Sequence, residues 1–320
     1  GKIMKTHVCS AIAATLVAGA AGAAGLDRSG QSVSAIFDAP GTAEISIGIV
    51  RPDLGGEDRV GGGSYDDVGV DYTQVGGSIT GRLGSGPLSY ALIFDQPYGA
   101  DVNYGSDPST TALGGTLADL NSSALTAVAR YAISDRISVF GGVGIQRIDA
   151  NVVLNGQAYG LGIVPGPVAA QFNASLPGGA PALDQATLTA AYAGSPTARS
   201  AIDATYGAGT YAGALAPAYA GFLAGGGYDF EMDDTTALNP LIGIAYEIPD
   251  IALRIAGTYR FETEHSADTS ETLLGNTFPG TVDFVTPQSF NLEAQTGIAP
   301  GTLLTATWRW TEFSAVDLVP

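Results

Sequence analysis

Cysteine and lysine are almost missing from this sequence. The single cysteine is Cys9, and the two lysines, Lys2 and Lys5, lie in the same N-terminal stretch. From residue 25 onward the chain therefore offers no disulfide, no thiolate ligand for a metal, no cysteine nucleophile and no lysine that could form a Schiff base. Several classes of enzyme are excluded by these absences.

Charge is scarce and mostly of one sign. Charged residues make up 14% of the 320 residues, with 31 acidic against 13 basic side chains and a net charge of −18. Without the two N-terminal lysines, eleven arginines remain and the net charge is −20. This balance argues against nucleic acids and anionic lipid headgroups as binding partners, because both are polyanions.

Histidine is equally rare, and His265 is the only one after the N-terminal stretch. Its neighbours Glu264 and Ser266 do not form a catalytic triad with it, since adjacent residues on a strand point to opposite faces. We therefore expect no enzyme and no cofactor, and place His265 in a solvated loop. The acidic clusters at 66–67 and 231–234 could hold Ca²⁺, but solvated loop charge is the simpler interpretation and we assign no metal.

Long hydrophobic runs are confined to two stretches. Residues 1–24 contain a short basic region, an apolar region at 8–17 and small residues at 18–24, which is typical of a secretory signal peptide. The alternative, a membrane anchor, fits less well because the apolar part is short. Residues 206–227 carry no charge, but seven glycines and Pro217 predict a surface loop and not a helix.

From residue 43 onward, apolar and polar residues alternate, as in strands with one apolar face. In the segment 88–94, for example, Leu88, Tyr90, Leu92 and Phe94 share a face. The opposite faces of such segments carry polar residues, including Thr126 and Thr258. The pattern predicts nine strands, at 43–51, 68–82, 88–94, 125–133, 137–145, 240–248, 251–261, 282–295 and 303–313.

The connections between these strands alternate in length. Short turns are expected at 84–86, 134–136, 248–250 and 299–301, and long connections at 52–67, 97–121, 151–236 and 264–282. With a signal peptide, this alternation predicts an all-β fold, a transmembrane antiparallel up-and-down β-barrel in the outer membrane of a Gram-negative bacterium. A soluble β-sandwich would explain the alternation of residues but not the one-sided loop lengths.

The resulting organisation has two parts after cleavage of the signal peptide, and the second part contains a long loop. Residues 25–42 precede the first strand, residues 43–320 form the barrel, and residues 151–236 form a long extracellular loop. Within that loop we predict short helices at 181–193 and 196–206, with Asp184 and Asp203 near their N-terminal turns. Their apolar residues either line a groove or pack the loop on itself.

Four stretches resemble the FadL/TodX-type outer-membrane transporters of long-chain fatty acids and aromatic hydrocarbons. They are GLDRSGQSVSAIF at 25–37, ALIFDQPYGADVNYG at 91–105, ALTAVARYAISDRISVFGGVGIQ at 124–146 and TATWRWTEFSAVD at 305–317. In that family a short N-terminal hatch fills a fourteen-stranded barrel, and a kink in the third strand opens a lateral window. The resemblance implies that 25–42 is a hatch and that about nine strands of fourteen are present, with the chain truncated at its C-terminus. The family's Asn-Pro-Ala hatch element is not recognisable; the nearest stretch is 38–40.

The resemblance also implies sites. The hatch residues would be Asp27, Arg28, Gln31, Ile36 and Phe37, and the lateral opening would be formed by Asp95, Gln96, Pro97, Tyr98 and Gly99. Pro97 has no backbone N–H to donate to a neighbouring strand, and Gly99 makes the backbone more flexible. Strand pairing should therefore fail just beyond Phe94. The alternative is that the strand ends there and Pro97 begins a loop.

Three inward-facing arginines are candidates for binding a fatty carboxylate. They are Arg130, Arg254 and Arg260. A lumenal guanidinium is costly unless it is hydrated or paired, so it could receive the headgroup of a ligand. Pairing with Glu247 or Glu262 is the alternative interpretation of the same residues.

Two classes of function remain open. The preferred one is the diffusive uptake of a hydrophobic small molecule, a fatty acid or an aromatic hydrocarbon, by a monomeric protein surrounded by outer-membrane lipid and lipopolysaccharide. The other is a general porin or a structural surface barrel. A porin would be expected to have a charged constriction and no hatch, so the hatch favours uptake. The sequence does not distinguish an alkyl chain from an aromatic ring.

Overall fold

The computed structural model describes residues 26–59 and 63–316, so the signal peptide predicted at 1–24 lies outside the described residues. The described chain folds into a large antiparallel sheet, a two-stranded ribbon and a group of helices. The strands are β1 Ala43–Val50, β2 Gly56–Glu57, β3 Ser64–Tyr65, β4 Tyr72–Arg82, β5 Leu88–Asp95, β6 Gly99–Asn103, β7 Leu117–Ala132, β8 Ile137–Leu154, β9 Tyr228–Ile248, β10 Leu253–Arg260, β11 Thr263–Leu273, β12 Asn276–Thr286, β13 Ser289–Ala299 and β14 Thr302–Thr311.

Nine strands follow one another across the sheet in the order β1-β4-β5-β7-β8-β9-β10-β13-β14, each antiparallel to the next. They correspond to the nine alternating segments, which confirms the predicted all-β antiparallel fold. The prediction of a single strand at 282–295 was wrong, since β12 ends at Thr286 and β13 begins at Ser289. Its alternation runs through the end of one strand and the start of the next.

The prediction of a loop at 264–282 was wrong. It forms the β11–β12 hairpin, which pairs with the first residues of β9. His265 consequently lies on a strand, only 4% exposed and stacked on Phe284, and is not a solvated loop residue. The other long connections also contain short strands, with β2 and β3 at 52–67 and β6 at 97–121.

The two faces of the sheet differ in the way that the alternation predicts. One face exposes large aliphatic and aromatic side chains, such as Ile45 at 83%, Ile244 at 57% and Trp308 at 57%. The other face buries polar and small residues, among them Thr126, Asn239 and Ala256. The sheet curls so that residues from β5 to β14 contact the N-terminal segment 26–42 on this second face.

The connection between β8 and β9 is helical, with α1 Gln157–Ile163, α2 Pro165–Ser175, α3 Gln185–Tyr192, α4 Pro196–Tyr206 and α5 Ala216–Ala224. The predicted helices at 181–193 and 196–206 are confirmed as α3 and α4. Asp184 caps α3, whereas Asp203 lies near the end of α4 and accepts a bond from the Tyr211 N–H. The surface loop predicted at 206–227 was wrong, because α5 forms there and buries Phe222 and Leu223.

These helices pack on one another around a core of their own. Leu188, Tyr192, Ile202 and Phe222 are buried in it, and Tyr192 stacks on Tyr219 with ring centroids 4.8 Å apart. The apolar residues of the predicted helices therefore pack the connection on itself. Among the described residues, no helix is both long and apolar enough to cross a membrane.

Candidate wall opening and the segment that fills it

The wall of the sheet is interrupted between β4 and the strand formed by β5 and β6. The ladder between β4 and β5 ends at the Gly77–Phe94 pair, and pairing resumes at a bridge between Gly69 and Val102. In the part of the chain that the structure describes, no ladder pair joins 71–76 to 95–100. On the other side, β5 and β6 both pair with β7, so the strand continues past the interruption.

The residues predicted at the lateral opening lie at this interruption. The side chain of Gln96 takes the place of the backbone there, since its Oε1 accepts a 2.8 Å bond from the Val75 N–H. Towards β7, the Ser122 hydroxyl binds both backbone groups of Tyr98, at 2.7 Å to its N–H and 2.6 Å to its carbonyl. Pro97 lacks an N–H that would need a partner. The strand can therefore leave β4 here without exposing unpaired backbone groups at these positions.

Arg28 of the N-terminal segment occupies this interruption. Its guanidinium donates to Asp101 on β6 and lies over the Tyr72 ring of β4, 3.8 Å from the centroid. Its backbone N–H donates to the Pro97 carbonyl at 2.9 Å. Gly99 supplies the space, because a Cβ there would lie 2.1 Å from Cζ of Arg28. Arg28 thus touches both rims of the interruption.

The same segment is bound to the far end of the sheet. Asp27 forms an ion pair with Arg309 of β14, and Arg309 also donates to Gln31 at 3.1 Å. The Gly30 carbonyl accepts a 2.7 Å bond from Asn291 of β13. Ser29 donates to Asp95 of β5 at 2.5 Å. Residues 27–31 therefore connect strands from opposite ends of the sheet path across its concave face.

The C-terminal half of the segment is anchored by apolar and aromatic contacts. It forms a 3₁₀ turn, Ser34–Phe37, with Val33 and Ile36 1% and 2% exposed against Val128, Phe140 and Leu241 of the sheet. The Phe37 ring lies under two guanidinium groups, those of Arg130 and Arg254, 4.8 and 4.5 Å from its centroid. It also meets Phe140 edge-on at 5.7 Å.

The three candidate arginines have different surroundings. Arg130 forms an ion pair with Glu247 and donates to the Ser138 hydroxyl at 2.9 Å, so it already has a carboxylate partner. Arg254 faces Phe37, as described above. Arg260 is 5% exposed, away from the other two, and donates to Oδ1 of Asn239 at 2.7 Å. The structure therefore does not gather them into one anion site.

A cleft of about 810 Å³ lies between the segment 26–42 and strands β1, β4 and β5. Arg28, Ser29 and Ser32 line it on one side, and Ser46, Ser78 and Asp95 are among the residues on the other. The cleft reaches the interruption, because Val75 and Gly76 also line it. A molecule in the lumen therefore has room next to the opening that Arg28 fills.

A second and longer interruption occurs between β9 and the strand formed by β10 and β11. Pairing stops at Leu241–Arg260 and resumes at Met232–Thr269, and no ladder pair joins 233–240 to 261–268 within the described chain. The Asn239 amide closes part of it, donating to the Phe261 carbonyl at 3.1 Å and to the Thr263 hydroxyl at 2.6 Å. The same Asn239 side chain accepts a 2.7 Å bond from Arg260, so one amide joins both strands at the edge of this interruption.

The acidic clusters at 66–67 and 231–234 and His265 all lie in the described part of the chain. No group of three or more His, Cys, Asp or Glu side chains is arranged there to hold an ion. Asp234 forms an exposed ion pair with Arg147 at 3.1 Å. His265 has Thr286 as a neighbour, 3.3 Å from Nε2.

An antiparallel sheet with an apolar outer face and a polar inner face, filled by its own N-terminal segment, has the architecture of a β-barrel wall. No protein-family model matches the sequence, and no curated protein matches it. Similar solved structures include the toluene transporter TbuX of Ralstonia pickettii, with 13% identity and a TM-score of 0.44 over 85% of this chain and 61% of that one.

Two further solved structures are the toluene transporter TodX of P. putida and the monoaromatic hydrocarbon channel CymD. TodX has 15% identity and a TM-score of 0.45 over 86% of this chain and 61% of its own, and CymD has 13% and 0.37 over 85% and 58%. The chain thus spans less than two thirds of the length of these proteins. The sequence resembles the FadL/TodX-type transporters, and TodX is among these solved structures.

Sequence reasoning missed the wall residues that hold the segment. Tyr72, Asp101 and Arg309 are separated from Asp27 and Arg28 by more than forty positions, and no local pattern connects them. One signal was available for Arg309. It is the single charge among the alternating residues of β14, so an acidic partner on the inner face was to be expected.

Proposed function

We propose that this protein is an outer-membrane channel for the diffusive uptake of hydrophobic compounds, and that the interruption between β4 and β6 is the lateral exit. The observation that carries the proposal is this interruption, which leaves 71–76 and 95–100 without ladder pairs in a wall whose outer face is apolar. In lipid an unpaired backbone group costs several kcal/mol, so an interruption is tolerated where it borders a cavity. The cleft beside Arg28 is such a cavity.

The proposed route runs from the outer helices into the lumen and sideways into the outer leaflet. The segment 26–42 fills the lumen below, with Val33 and Ile36 buried against the wall, so passage along the barrel axis is obstructed. A hydrophobic molecule that leaves sideways stays in an apolar medium, and burial of its surface supplies roughly 25 cal/mol per Å². Of the similar solved structures, TodX and TbuX are toluene transporters and CymD is a monoaromatic hydrocarbon channel.

The substrate is a fatty acid or an aromatic hydrocarbon, and the protein acts as a monomer in contact with outer-membrane lipid and lipopolysaccharide. A carboxylate would need a free cation, and Arg130 is already paired with Glu247. Arg254 over the Phe37 ring and Arg260 at the Asn239 amide are then the candidates for a fatty carboxylate, and an aromatic hydrocarbon needs no cation. A general porin is the second candidate, and the polar lining of the cleft, with Ser29, Ser46 and Ser78, is the feature that supports it.

A disulfide across the interruption tests the lateral exit. The register places Val75 opposite Gln96, and the chain from residue 25 onward has no other thiol. The pair Val75→Cys and Gln96→Cys should form a disulfide in the oxidising envelope and block uptake of radiolabelled toluene and oleate by expressing cells. A reducing agent should restore uptake. Replacing Gly99 is a poorer test, because a side chain there would displace Arg28.

The matched control is a disulfide in the closed part of the same wall. Ile79 and Leu92 are ladder partners with outward side chains, so Ile79→Cys with Leu92→Cys should leave uptake unchanged. Equal uptake by the oxidised pairs in both positions would refute the lateral exit. Liposome swelling in sugars separates the second candidate, since a porin would pass sugars and show no response to the disulfide.

A further inference from the structure

We infer that Arg28 is the gate of the wall interruption, so that a hydrophobic molecule crosses between β4 and β6 only after the Arg28 side chain has left its seat. The inference rests on the proposed lateral exit and adds the residue that controls it. Arg28 is the residue of the N-terminal segment that contacts both rims, Tyr72 on β4 and Asp101 on β6.

The contacts of Arg28 replace the missing strand pairing. The side chains of Arg28 and Asp101 are 7% and 15% exposed, so their charges interact with little competition from water. The planar guanidinium stacks on the Tyr72 ring while it donates to the carboxylate, and an ammonium group cannot reproduce both contacts. Gly99 is required beside it, because any side chain there would overlap Cζ of Arg28.

A charged group in this position opposes the passage of an apolar molecule. A hydrocarbon offers no hydrogen bonds to Asp101, so it cannot take the place of the guanidinium, and an unpaired buried carboxylate is unfavourable. Passage therefore requires that Arg28 swings away and that water or another donor reaches Asp101. The flanking residues have partners of their own, Arg309 for Asp27 and Asp95 for Ser29, so the side chain can move while the backbone stays bound.

Opening of the gate can be measured with a thiol placed behind it. Ser78 lines the cleft on the inner side of β4, and Ser78→Cys would be the only thiol in the chain from residue 25 onward. In proteoliposomes, a pyrene maleimide dissolved in the bilayer should label this cysteine roughly tenfold faster in the Arg28→Ala background, since a hydrogen bond to a charged group shifts an equilibrium by about that factor or more. A water-soluble maleimide should react at the same rate in both backgrounds.

Three further variants define the role of the residue. Arg28→Lys should give an intermediate rate, because the ammonium keeps the charge but loses the stacking geometry, and Asp101→Asn should also accelerate labelling. Arg51→Ala is the matched control, since Arg51 forms an exposed ion pair with Asp71 at 3.3 Å on the same wall. Its labelling rate should equal that of the parent.

The gate assignment is overturned if Arg28→Ala assembles, as judged by heat-modifiable gel mobility, and reacts at the parent rate. If Arg28→Ala does not assemble, Arg28→Lys and Asp101→Asn decide, and parent rates in both overturn it. The labelling requires no transported substrate. A failure of the proposed uptake function would appear in the toluene and oleate assays alone and is distinguishable from a failure of the gate.

Discussion

The Phe37→Ala substitution should detach the lower end of the N-terminal segment from the wall. Phe37 makes two cation–π contacts, with Arg130 and Arg254, and one edge-to-face contact with Phe140. Cation–π contacts contribute about 0.5–1 kcal/mol each and an aromatic pair about 0.5–1.5 kcal/mol. Together the loss is about 1.5–3.5 kcal/mol, which raises the detached population roughly 10- to 400-fold.

The wall itself should tolerate this substitution. Arg130 keeps its ion pair with Glu247 and its hydrogen bond to Ser138, so barrel assembly does not depend on Phe37. In planar bilayers, Phe37→Ala should show ion-conducting openings that are rare in the parent protein. Deletion of residues 25–38 should define the maximum conductance, because it removes the segment from the lumen.

The control for this experiment is Phe94→Ala. Phe94 is 40% exposed on the outer face and makes none of the contacts of Phe37. Its conductance should match that of the parent. The reasoning is refuted if Phe37→Ala is as closed as Phe94→Ala, or if the deletion variant conducts no better than the parent.

Three further predictions concern the helical connection and the second interruption of the wall. A protease added to intact cells should cut at 176–182, between α2 and α3, and spare the short turn 134–136. Asp184→Ala should destabilise α3 by about 1 kcal/mol in thermal unfolding. The hydrogen bonds from the Thr187 hydroxyl and N–H lower the pKa of Asp184. The stabilisation is therefore present above the ordinary carboxyl pKa and is lost as the pH falls through the lowered value. Asn239→Ala should speed amide exchange at 261–268, and unchanged exchange there would contradict the role of its two hydrogen bonds.

The strands that carry an apolar stripe were predictable from the sequence. At 137–145 of β8 and in β10, every second residue faces outward and is apolar or glycine, so a strand with an apolar outer face leaves a period of two in the sequence. The β11–β12 hairpin has no such stripe. Its exposed positions hold Glu264, Ser266 and Asp268, and a strand that is polar outside resembles a loop in composition.

The helical connection was only partly predictable for a related reason. Pro196 and the Asp184 cap mark α4 and α3 locally, whereas α5 lies in a Gly-rich stretch with low helix propensity. Burial of Phe222 and Leu223 against the other helices stabilises it, and that contact is tertiary. The seat of Arg28 depends on partners up to 73 residues away, so its place in the N-terminal segment was predictable and its role was not.

The interruption beside Arg28 keeps the register between β4 and the strand formed by β5 and β6, whereas towards β7 that strand gains one residue between Asp95–Ala124 and Gly99–Asn121. The pairs Gly77–Phe94 and Gly69–Val102 are eight residues apart on both strands, so no residue is gained or lost across roughly 26 Å of wall. The diameter of a barrel follows from its strand number and its shear, and neither changes when two strands separate and rejoin in the same register. The height of this opening can therefore vary through substitutions along its rims, such as at Gln96, while the register between β4 and the strand formed by β5 and β6 stays constant.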